Sequence, residues 1–173
     1  MIAYIGLGSN LGDRKSTLRR AVRQLASYGR IVAVSSLYET EPVGFREQPW
    51  FLNAVVALET DLDPQRLLQV LLALERDAGR ERTFRNAPRT LDLDLLLYDA
   101  SIVDSDELAV PHPRLHERAF VLVPLAEIAP DVVHPRLGVP VRVLLDRLGT
   151  ATEVRLVAGP AWVDEERGDA ERS

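Results

Sequence analysis

The chain has 173 residues, of which 46% are hydrophobic and 27% charged, as expected for a globular protein that buries a core. Its net charge of −5 gives no general attraction for nucleic acid, so any phosphate binding must depend on local arginines. It contains no cysteine, which excludes disulfides, thiol catalysis and cysteine-ligated zinc.

The N-terminus has no basic segment ahead of its short apolar stretch, so we expect no secretory signal. No run approaches the roughly 20 apolar residues of a membrane span. These features predict a cytoplasmic protein. No linker or internal repeat divides the chain, so we expect a single domain over residues 1–160 and a charged, disordered tail over residues 161–173.

The first half of the chain alternates strand and helix patterns. Asp13 is placed to cap a helix with apolar residues at helical spacing, and Pro64 is placed to open a second one. The predicted elements are the strand Ile2–Gly8, a turn over Gly8–Gly12, the helix after Asp13, the strand Ile31–Leu37, a loop over Glu41–Pro49, the strand Phe51–Thr60 and a helix to Ala78 with Gly79 as its cap.

The second half begins with an arginine-rich connector and a leucine-rich strand. The predicted elements are the connector Arg80–Ala87, the strand with Asp92 and Asp94, a turn at Asp99–Ser101, a loop over Val110–Pro113, a short helix near Leu115, an apolar stretch Phe120–Leu125, a helix over Val141–Leu148 and an edge strand over Glu153–Val157. The order strand–helix–strand–strand–helix–strand predicts an α+β fold, a ferredoxin-like α/β sandwich whose largely antiparallel sheet is covered by helices.

The segment Pro88–Leu97 carries the most chemical information. Asp92 and Asp94 stand two residues apart in a Leu-rich strand, so they share one face with Cα atoms about 6.5–7 Å apart. Because unpaired buried carboxylates are costly, the pair predicts a bound cation. Mg²⁺ fits best, since it takes one or two carboxylates and completes its shell with water and phosphate oxygens. The alternative is a solvated edge strand, which the flanking leucines disfavour.

Four arginines precede or open this segment, namely Arg80, Arg82, Arg85 and Arg89. A charge run usually marks a solvated face. Beside a carboxylate pair, however, it favours a phosphate clamp, because the guanidinium fork matches phosphate oxygens.

Glu75 shares one flank of the second helix with Leu68 and Leu72. It is either a solvated side chain or an acceptor for a ribose hydroxyl, with a purine packed on the leucines.

Three further features have more than one interpretation. Gly6 and Gly8 predict a tight turn or close backbone packing rather than a nucleotide-binding loop, because the third Gly and the Lys of such loops are missing. His112 is a loop histidine, a phosphate donor or a metal ligand, and the other histidines do not give the spacing of a zinc site. Phe51 and Phe120 are core aromatics by default.

Four blocks of sequence, in order, resemble the 6-hydroxymethyl-7,8-dihydropterin pyrophosphokinase family of folate biosynthesis. They cover about residues 1–148. The blocks are Tyr4-Ile5-Gly6-Leu7-Gly8-Ser9-Asn10-Leu11-Gly12, Tyr38-Glu39-Thr40-Glu41-Pro42-Val43-Gly44 with Gln48-Pro49-Trp50-Phe51-Leu52-Asn53-Ala54, Pro88-Arg89-Thr90-Leu91-Asp92-Leu93-Asp94, and Val110-Pro111-His112 through Arg118-Ala119-Phe120.

The resemblance implies an enzyme that transfers pyrophosphate from ATP to the hydroxymethyl group of the pterin and releases AMP. It implies two Mg²⁺ ions held by Asp92 and Asp94, charge stabilisation by Arg80 and Arg89, and stacking of the pterin between Phe51 and Phe120. The implied catalytic residues are Arg80, Arg89, Asp92 and Asp94. The implied ATP contacts are Leu68, Leu72, Glu75, Arg82, Arg89, Leu95, His112 and Arg118. The implied pterin contacts are Thr40, Pro42, Val43, Gly44, Phe51, Asn53, Asp92 and Phe120.

Three departures from the family pattern involve four positions. Asn86-Ala87 replaces a Trp-Gly pair, Thr83 replaces a frequent Lys, and Phe51 replaces a frequent Tyr. The first two bear on loop contacts with ATP, whereas the third removes a hydroxyl and keeps a stacking face.

Two other functions stay open. A metal-dependent phosphohydrolase would use the same carboxylates without a pterin acceptor. A ferredoxin-like nucleotide- or RNA-binding module would need a basic sheet face with paired aromatics, which the net charge and the 6% aromatic content disfavour. We expect ATP and the pterin as partners, no nucleic acid, no membrane, and a monomer or weak dimer.

Overall fold

Helices pack on both faces of one antiparallel sheet. The computed structural model describes residues 1–10, 13–41, 50–78, 91–149 and 154–164. The strands are β1 Ile2–Ser9, β2 Arg30–Val34, β3 Leu37–Thr40, β4 Phe51–Glu59, β5 Asp92–Tyr98, β6 Val103–Asp104, β7 Ala109–Val110 and β8 Val154–Ala158. The helices are α1 Arg14–Leu25, α2 Pro64–Ala78, α3 Ala119–Ile128 and α4 Val141–Leu148, with short 3-10 turns over Ala26–Tyr28, Leu115–Glu117 and Pro160–Asp164.

The sheet has six strands in the order β5–β1–β4–β3–β8, and β2 pairs with β4 next to β3. These pairings are antiparallel. Because β2 and β3 pair with successive stretches of β4, they share one strand position. With that position counted once, the chain has the strand–helix–strand–strand–helix–strand order of the ferredoxin-like fold, which confirms the predicted fold class.

The single strand predicted over Ile31–Leu37 is wrong, because the chain breaks at Ser35 and Ser36. The Ser35 N–H donates to the Val55 carbonyl (2.9 Å), and the Val55 N–H donates to Oγ of Ser35 (2.9 Å). The Ser36 N–H turns away from the sheet and donates to Oε1 of Glu127 (2.8 Å). A serine hydroxyl and a carboxylate thus replace the partners of a regular ladder.

Each face of the sheet has its own hydrophobic core, because strand side chains alternate. The first face lies under α1 and α2, and its core includes Ile5 and Leu93. The second face lies under α3 and α4, and its core includes Val55 and Leu122.

The C-terminal segment packs on the sheet and does not leave it at residue 160. β8 adds to β3, one residue later than the predicted edge strand. Trp162 is 1% exposed in the first core, and its indole N–H donates to the Ser35 carbonyl (2.8 Å). Residues 161–164 are therefore ordered, contrary to the expected tail, because burial of the indole offsets the cost of ordering them. Residues 165–173 lie outside the described residues.

The other predicted helices and the turn after β5 are confirmed, whereas the end of the turn Gly8–Gly12, most of the loop Glu41–Pro49, the Gly79 cap and the connector Arg80–Ala87 lie outside the described residues. Asp13 caps α1 by accepting from the Ser16 N–H (3.2 Å), and the turn after β5 has Asp99 at φ 47°. The helix expected near Leu115 is a 3-10 turn that leads into α3, and α3 includes the apolar stretch. Among the helices of the described ranges, none is long and apolar enough to cross a membrane.

Candidate active site

A row of residues crosses the second face where β4, β1 and β5 lie side by side. Gly8 on β1 pairs with Asn53 on one side and with Asp92 on the other. Gly6 pairs with Asp94 in the same way. Because adjacent strands are about 4.8 Å apart, Asn53 and Asp92 are separated by about 10 Å.

Asp92 and Asp94 share the second face, as the alternation along β5 predicts. Both are half-buried, whereas Leu93 and Leu95 are buried in the first core. No group of three or more His, Cys, Asp or Glu side chains that could hold a metal occurs in the described ranges. Two half-buried carboxylates on one face suit Mg²⁺, which takes one or two carboxylates and completes its shell with water and phosphate oxygens.

Asn53 is held in one orientation beside the carboxylates. It is buried, and its Nδ2 donates to Oγ1 of Thr40 across the β3–β4 ladder (2.6 Å). Gly8 makes room for it, since a Cβ on Gly8 would lie 3.0 Å from Oδ1 of Asn53 and 3.6 Å from Cδ1 of Phe51. Close packing is therefore the role of Gly8. The alternative of a tight turn is wrong, because Gly6 and Gly8 both lie within β1.

Two aromatic rings flank this region on the second face. Phe51 lies on β4 two residues before Asn53, and Phe120 lies in the first turn of α3 against the second core. The guanidinium carbon of Arg118 is 5.6 Å from the centroid of the Phe120 ring. Both residues are half-buried, so each keeps an exposed part that a ligand can contact.

A side chain and a loop bind backbone groups along the outer edge of β5, the edge that faces away from β1. Oε2 of Glu75 accepts from the Leu93 N–H (2.8 Å), and the His112 N–H donates to the Leu96 carbonyl (2.9 Å). Such partners also protect a strand edge from pairing with another chain. Glu75 is thus not simply a solvated side chain, because it fastens α2 to β5, a role that the sequence analysis missed.

His112 lies close enough to Asp94 for the carboxylate to affect its pKa. Burial lowers the pKa of His112, the Asp94 carboxylate raises it, and Arg118 and Arg114 lower it, with a net decrease. Its Nδ1 accepts from the Arg114 N–H (3.2 Å), so Nε2 carries the proton of the neutral ring. A neutral imidazole with an N–H group suits the interpretation that His112 donates a hydrogen bond to a phosphate oxygen.

The apolar residues predicted for ATP differ in their exposure. Leu72 is 38% exposed, Leu68 is half-buried against the first core, and Leu95 is 4% exposed within that core. Of the three, Leu72 therefore offers the largest surface to a ligand.

Several predicted site residues lie outside the described residues. They are Pro42, Val43, Gly44, Arg80, Arg82, Arg85 and Arg89, together with the departures Thr83, Asn86 and Ala87. The arginine clamp and the loop contacts stay predictions.

Tyr38 and Glu127 are site neighbours that the sequence analysis missed. Tyr38 pairs with Asn53 across the β3–β4 ladder, and its hydroxyl donates to Oε1 of Glu127 on α3 (2.8 Å). Burial and Glu127 raise the pKa of Tyr38 to about 12, so this hydroxyl keeps its proton. Glu127 thus connects α3, the helix that carries Phe120, to β3. The alternation of Tyr38 with Thr40 could have placed the tyrosine, but no local signal links it to Glu127.

The described residues bring two groups of side chains together on one face of an α+β fold. Half-buried carboxylates and a neutral histidine lie at one sheet edge, and an amide with two aromatic rings lies beside them on the same face. The first group suits a metal-bound polyphosphate, and the second suits a flat polar ring.

Comparison with known proteins identifies the family. The family model for 7,8-dihydro-6-hydroxymethylpterin-pyrophosphokinase (HPPK) matches residues 4–130. The 2-amino-4-hydroxy-6-hydroxymethyldihydropteridine pyrophosphokinase of Bacillus subtilis (strain 168) is 49% identical over 133 residues, which cover 76% of this chain and 80% of that protein. The enzyme of the same name from Methylorubrum extorquens AM1 is 51% identical over 133 residues, with 76% and 84% covered. The chain belongs to this family, and thus to the ATP-dependent pyrophosphokinases of folate biosynthesis.

The solved structures agree on the fold. Wild-type HPPK-DHPS of Plasmodium falciparum matches 84% of this chain and 44% of its own with a TM-score of 0.67 and 16% identity, which supports the fold alone. Neither the phosphohydrolase nor the RNA-binding alternative is supported by these relatives.

Proposed function

We propose that the chain transfers pyrophosphate from ATP to 6-hydroxymethyl-7,8-dihydropterin, with the pterin on the second face and ATP along the outer edge of β5. The observation that carries the proposal is the row Asn53–Gly8–Asp92, which sets a fixed amide about 10 Å from a carboxylate on the same face. A pterin bound at Asn53 can therefore extend its hydroxymethyl group toward the carboxylates.

On the pterin side, Phe51 and Phe120 stack on the two ring faces. Asn53 reads the ring edge through Oδ1 and through the second N–H of Nδ2, because the bond to Thr40 uses only one of the two N–H groups. Thr40 thus acts by orienting Asn53. Pro42, Val43 and Gly44 complete the pterin contacts in this proposal.

On the ATP side, Leu68 and Leu72 pack against the purine while Leu95 supports them from the core. Glu75 accepts from a ribose hydroxyl in addition to the Leu93 N–H, since a carboxylate has about four acceptor positions.

At the phosphates, Nε2 of His112 donates to a phosphate oxygen, and Arg118 lies nearby as a cation. Arg82 and Arg89 bind the triphosphate, while Arg80 and Arg89 stabilise the charge that develops as the bond to the leaving AMP breaks.

Asp92 and Asp94 are the residues that would hold two Mg²⁺ ions. When bound, such ions neutralise triphosphate charge and lower the pKa of the acceptor hydroxyl. Both carboxylates are half-buried, so water and phosphate oxygens can reach the ions as the further ligands that Mg²⁺ requires.

The test is to incubate the protein with ATP, Mg²⁺ and the pterin and to identify the nucleotide product. We expect AMP together with the pterin diphosphate, and no AMP when the pterin is omitted. Production of ADP, or release of phosphate without the pterin, would overturn the proposal.

We further propose that residues 1–164 work as one pyrophosphokinase domain, in the cytoplasm and as a monomer or weak dimer. Sedimentation at two protein concentrations checks the oligomeric state.

A further inference from the structure

Four side chains form a cluster on the first face, opposite the proposed pterin contacts Thr40, Phe51 and Asn53 on the second face. We call this cluster the clip; it consists of Arg14, Glu39, Trp50 and Arg155. Nη1 of Arg14 donates to Oε2 of Glu39 (2.9 Å) and to the Trp50 carbonyl (2.6 Å). Nη2 of Arg155 donates to Oε1 of Glu39, and its guanidinium carbon is 5.4 Å from the centroid of the Trp50 ring.

The clip lies next to the proposed pterin contacts in the chain as well as in space. Glu39 precedes Thr40, and Trp50 precedes Phe51, while Thr40 and Phe51 are partners in the β3–β4 ladder. Because strand side chains alternate, Glu39 lies on the face opposite Thr40. Two arginines thus join the end of β3 to the start of β4 at the point where the pterin contacts begin.

The charge state of Glu39 supports a firm connection. Burial raises the pKa of Glu39, but hydrogen bonds and attraction from Arg155 and Arg14 lower it by more, so the carboxylate stays ionised at neutral pH. Both of its oxygens accept from guanidinium groups, and charge-assisted bonds of this kind are stronger than neutral ones. Glu39 is 15% exposed, so solvent screens the bonds less than it screens those of a surface pair.

The C-terminal segment supplies one member of the clip. Arg155 is the partner of Glu39 in the β3–β8 ladder. It lies outside residues 4–130, which the family model matches. The reaction itself gives β8 no role, so the contact needs another explanation.

We propose that the clip is a positioning device for the acceptor substrate. It keeps the ends of β3 and β4 in register, so that Phe51 and the Thr40-bound Asn53 meet the pterin in one geometry. The C-terminal strand thereby contributes to pterin recognition without touching the pterin. This inference rests on the proposed function, because it takes these residues as the pterin site.

The test compares Arg155→Ala with a matched control. We expect Arg155→Ala to raise the KM for the pterin about tenfold, which is about 1.4 kcal/mol, and to leave kcat and the KM for ATP within about twofold. The control is Arg30→Ala, which removes another cross-strand pair, Arg30 with Glu59 (3.2 Å), at the other end of β4. It should change none of these constants. Arg155→Lys, which keeps the charge but loses the fork, should give an intermediate KM.

A fluorescence measurement reports on the clip itself. The chain has two tryptophans, and Trp162 is buried while Trp50 is 37% exposed under the Arg155 guanidinium. Arg155→Ala should increase acrylamide quenching of the Trp50 emission, and Arg30→Ala should not.

The outcomes separate the two proposals. If the unmodified chain forms AMP and Arg155→Ala keeps the parental pterin KM, the inference fails and the proposed function stands. Equal increases in both KM values would also overturn the inference, because they would indicate a general loss of structure. If the unmodified chain forms no AMP, the proposed function fails and the inference fails with it.

Discussion

Gly8 offers the sharpest test of the acceptor pocket, because one added methyl group would act on Asn53 directly. In Gly8→Ala, the new Cβ would lie 3.0 Å from Oδ1 of Asn53, so that oxygen must move by a few tenths of an ångström. Asn53 cannot retreat freely, since it is 7% exposed and bonded to Thr40 at 2.6 Å. We therefore expect weaker hydrogen bonding to the pterin.

The magnitude follows from the bonds at risk. One side-chain amide makes up to about two bonds to a ring edge, each worth about 0.5–1.5 kcal/mol. Their loss would raise the KM for the pterin by roughly 5- to 150-fold, because 1.4 kcal/mol is about tenfold. The free energy of unfolding should not fall together with pterin binding. Gly→Ala lowers the conformational entropy of the unfolded chain, which favours the folded state by about 0.4–1 kcal/mol.

The assay is steady-state AMP formation with each substrate varied in turn, together with thermal unfolding. Gly6→Ala is the matched control, because its Cβ would meet the Leu96 side chain at 3.5 Å, an ordinary van der Waals distance. We expect Gly6→Ala to keep the parental KM for the pterin. If both variants have the same pterin KM, or if Gly8→Ala affects ATP as strongly, the assigned role of Asn53 is refuted.

Three further predictions address the metal site, the backbone and pH. Asp94→Asn should lower turnover by at least about a hundredfold at an unchanged melting temperature, because metal charge stabilisation is worth several kcal/mol, and near-parental turnover would contradict the metal assignment. Gly29→Ala should lower the free energy of unfolding by about 1–3 kcal/mol or more in urea titrations, since its Cβ would lie 2.2 Å from the Glu59 carbonyl oxygen, whereas Gly159→Ala, with no atom within 4 Å, should be neutral. Burial lowers the pKa of His134 below 6.5, so the folded protein holds this histidine neutral. The contribution of the neutral His134 to the free energy of unfolding is complete above pH 6.5, and it is lost as the pH falls through the pKa of His134 in the folded protein. His134→Asn can still accept from the two backbone N–H groups that Nδ1 binds, and it should lose less free energy of unfolding between pH 7 and 5; equal losses would refute this role.

The parts of the site that could be predicted depend on periodicity and local chemistry. The two-residue spacing of Asp92 and Asp94 placed both on one face, because strand alternation needs no knowledge of neighbours. The fold class followed from the element order for a similar reason, since short connections leave few topologies. The pterin pocket came only from the resemblance, because Phe51 and Phe120 carry no signal that separates a ligand contact from core packing.

The parts that could not be predicted depend on contacts between distant residues. The break at Ser35 and Ser36 is fixed by Glu127 on α3, 91 residues beyond Ser36. The packing of the C-terminal turn depends on Trp162, whose indole bonds to a carbonyl 127 residues away. Polar tails are expected to be disordered from composition alone, and one buried tryptophan is enough to make that expectation wrong for residues 161–164.

Alternation along β5 separates stability from chemistry, and it also makes the site sensitive to register. Leu93 and Leu95 are buried in the first core, while Asp92 and Asp94 lie on the second face, where we propose that the substrates bind. A slip of one residue would bury the carboxylates and expose the leucines. β5 is an edge strand in the described sheet, so β1 holds its register on one side only. The hydrogen bonds from Leu93 to Glu75 and from His112 to Leu96 hold the other side of β5. Two residues that we propose for ATP binding thus also keep the proposed metal ligands on the second face.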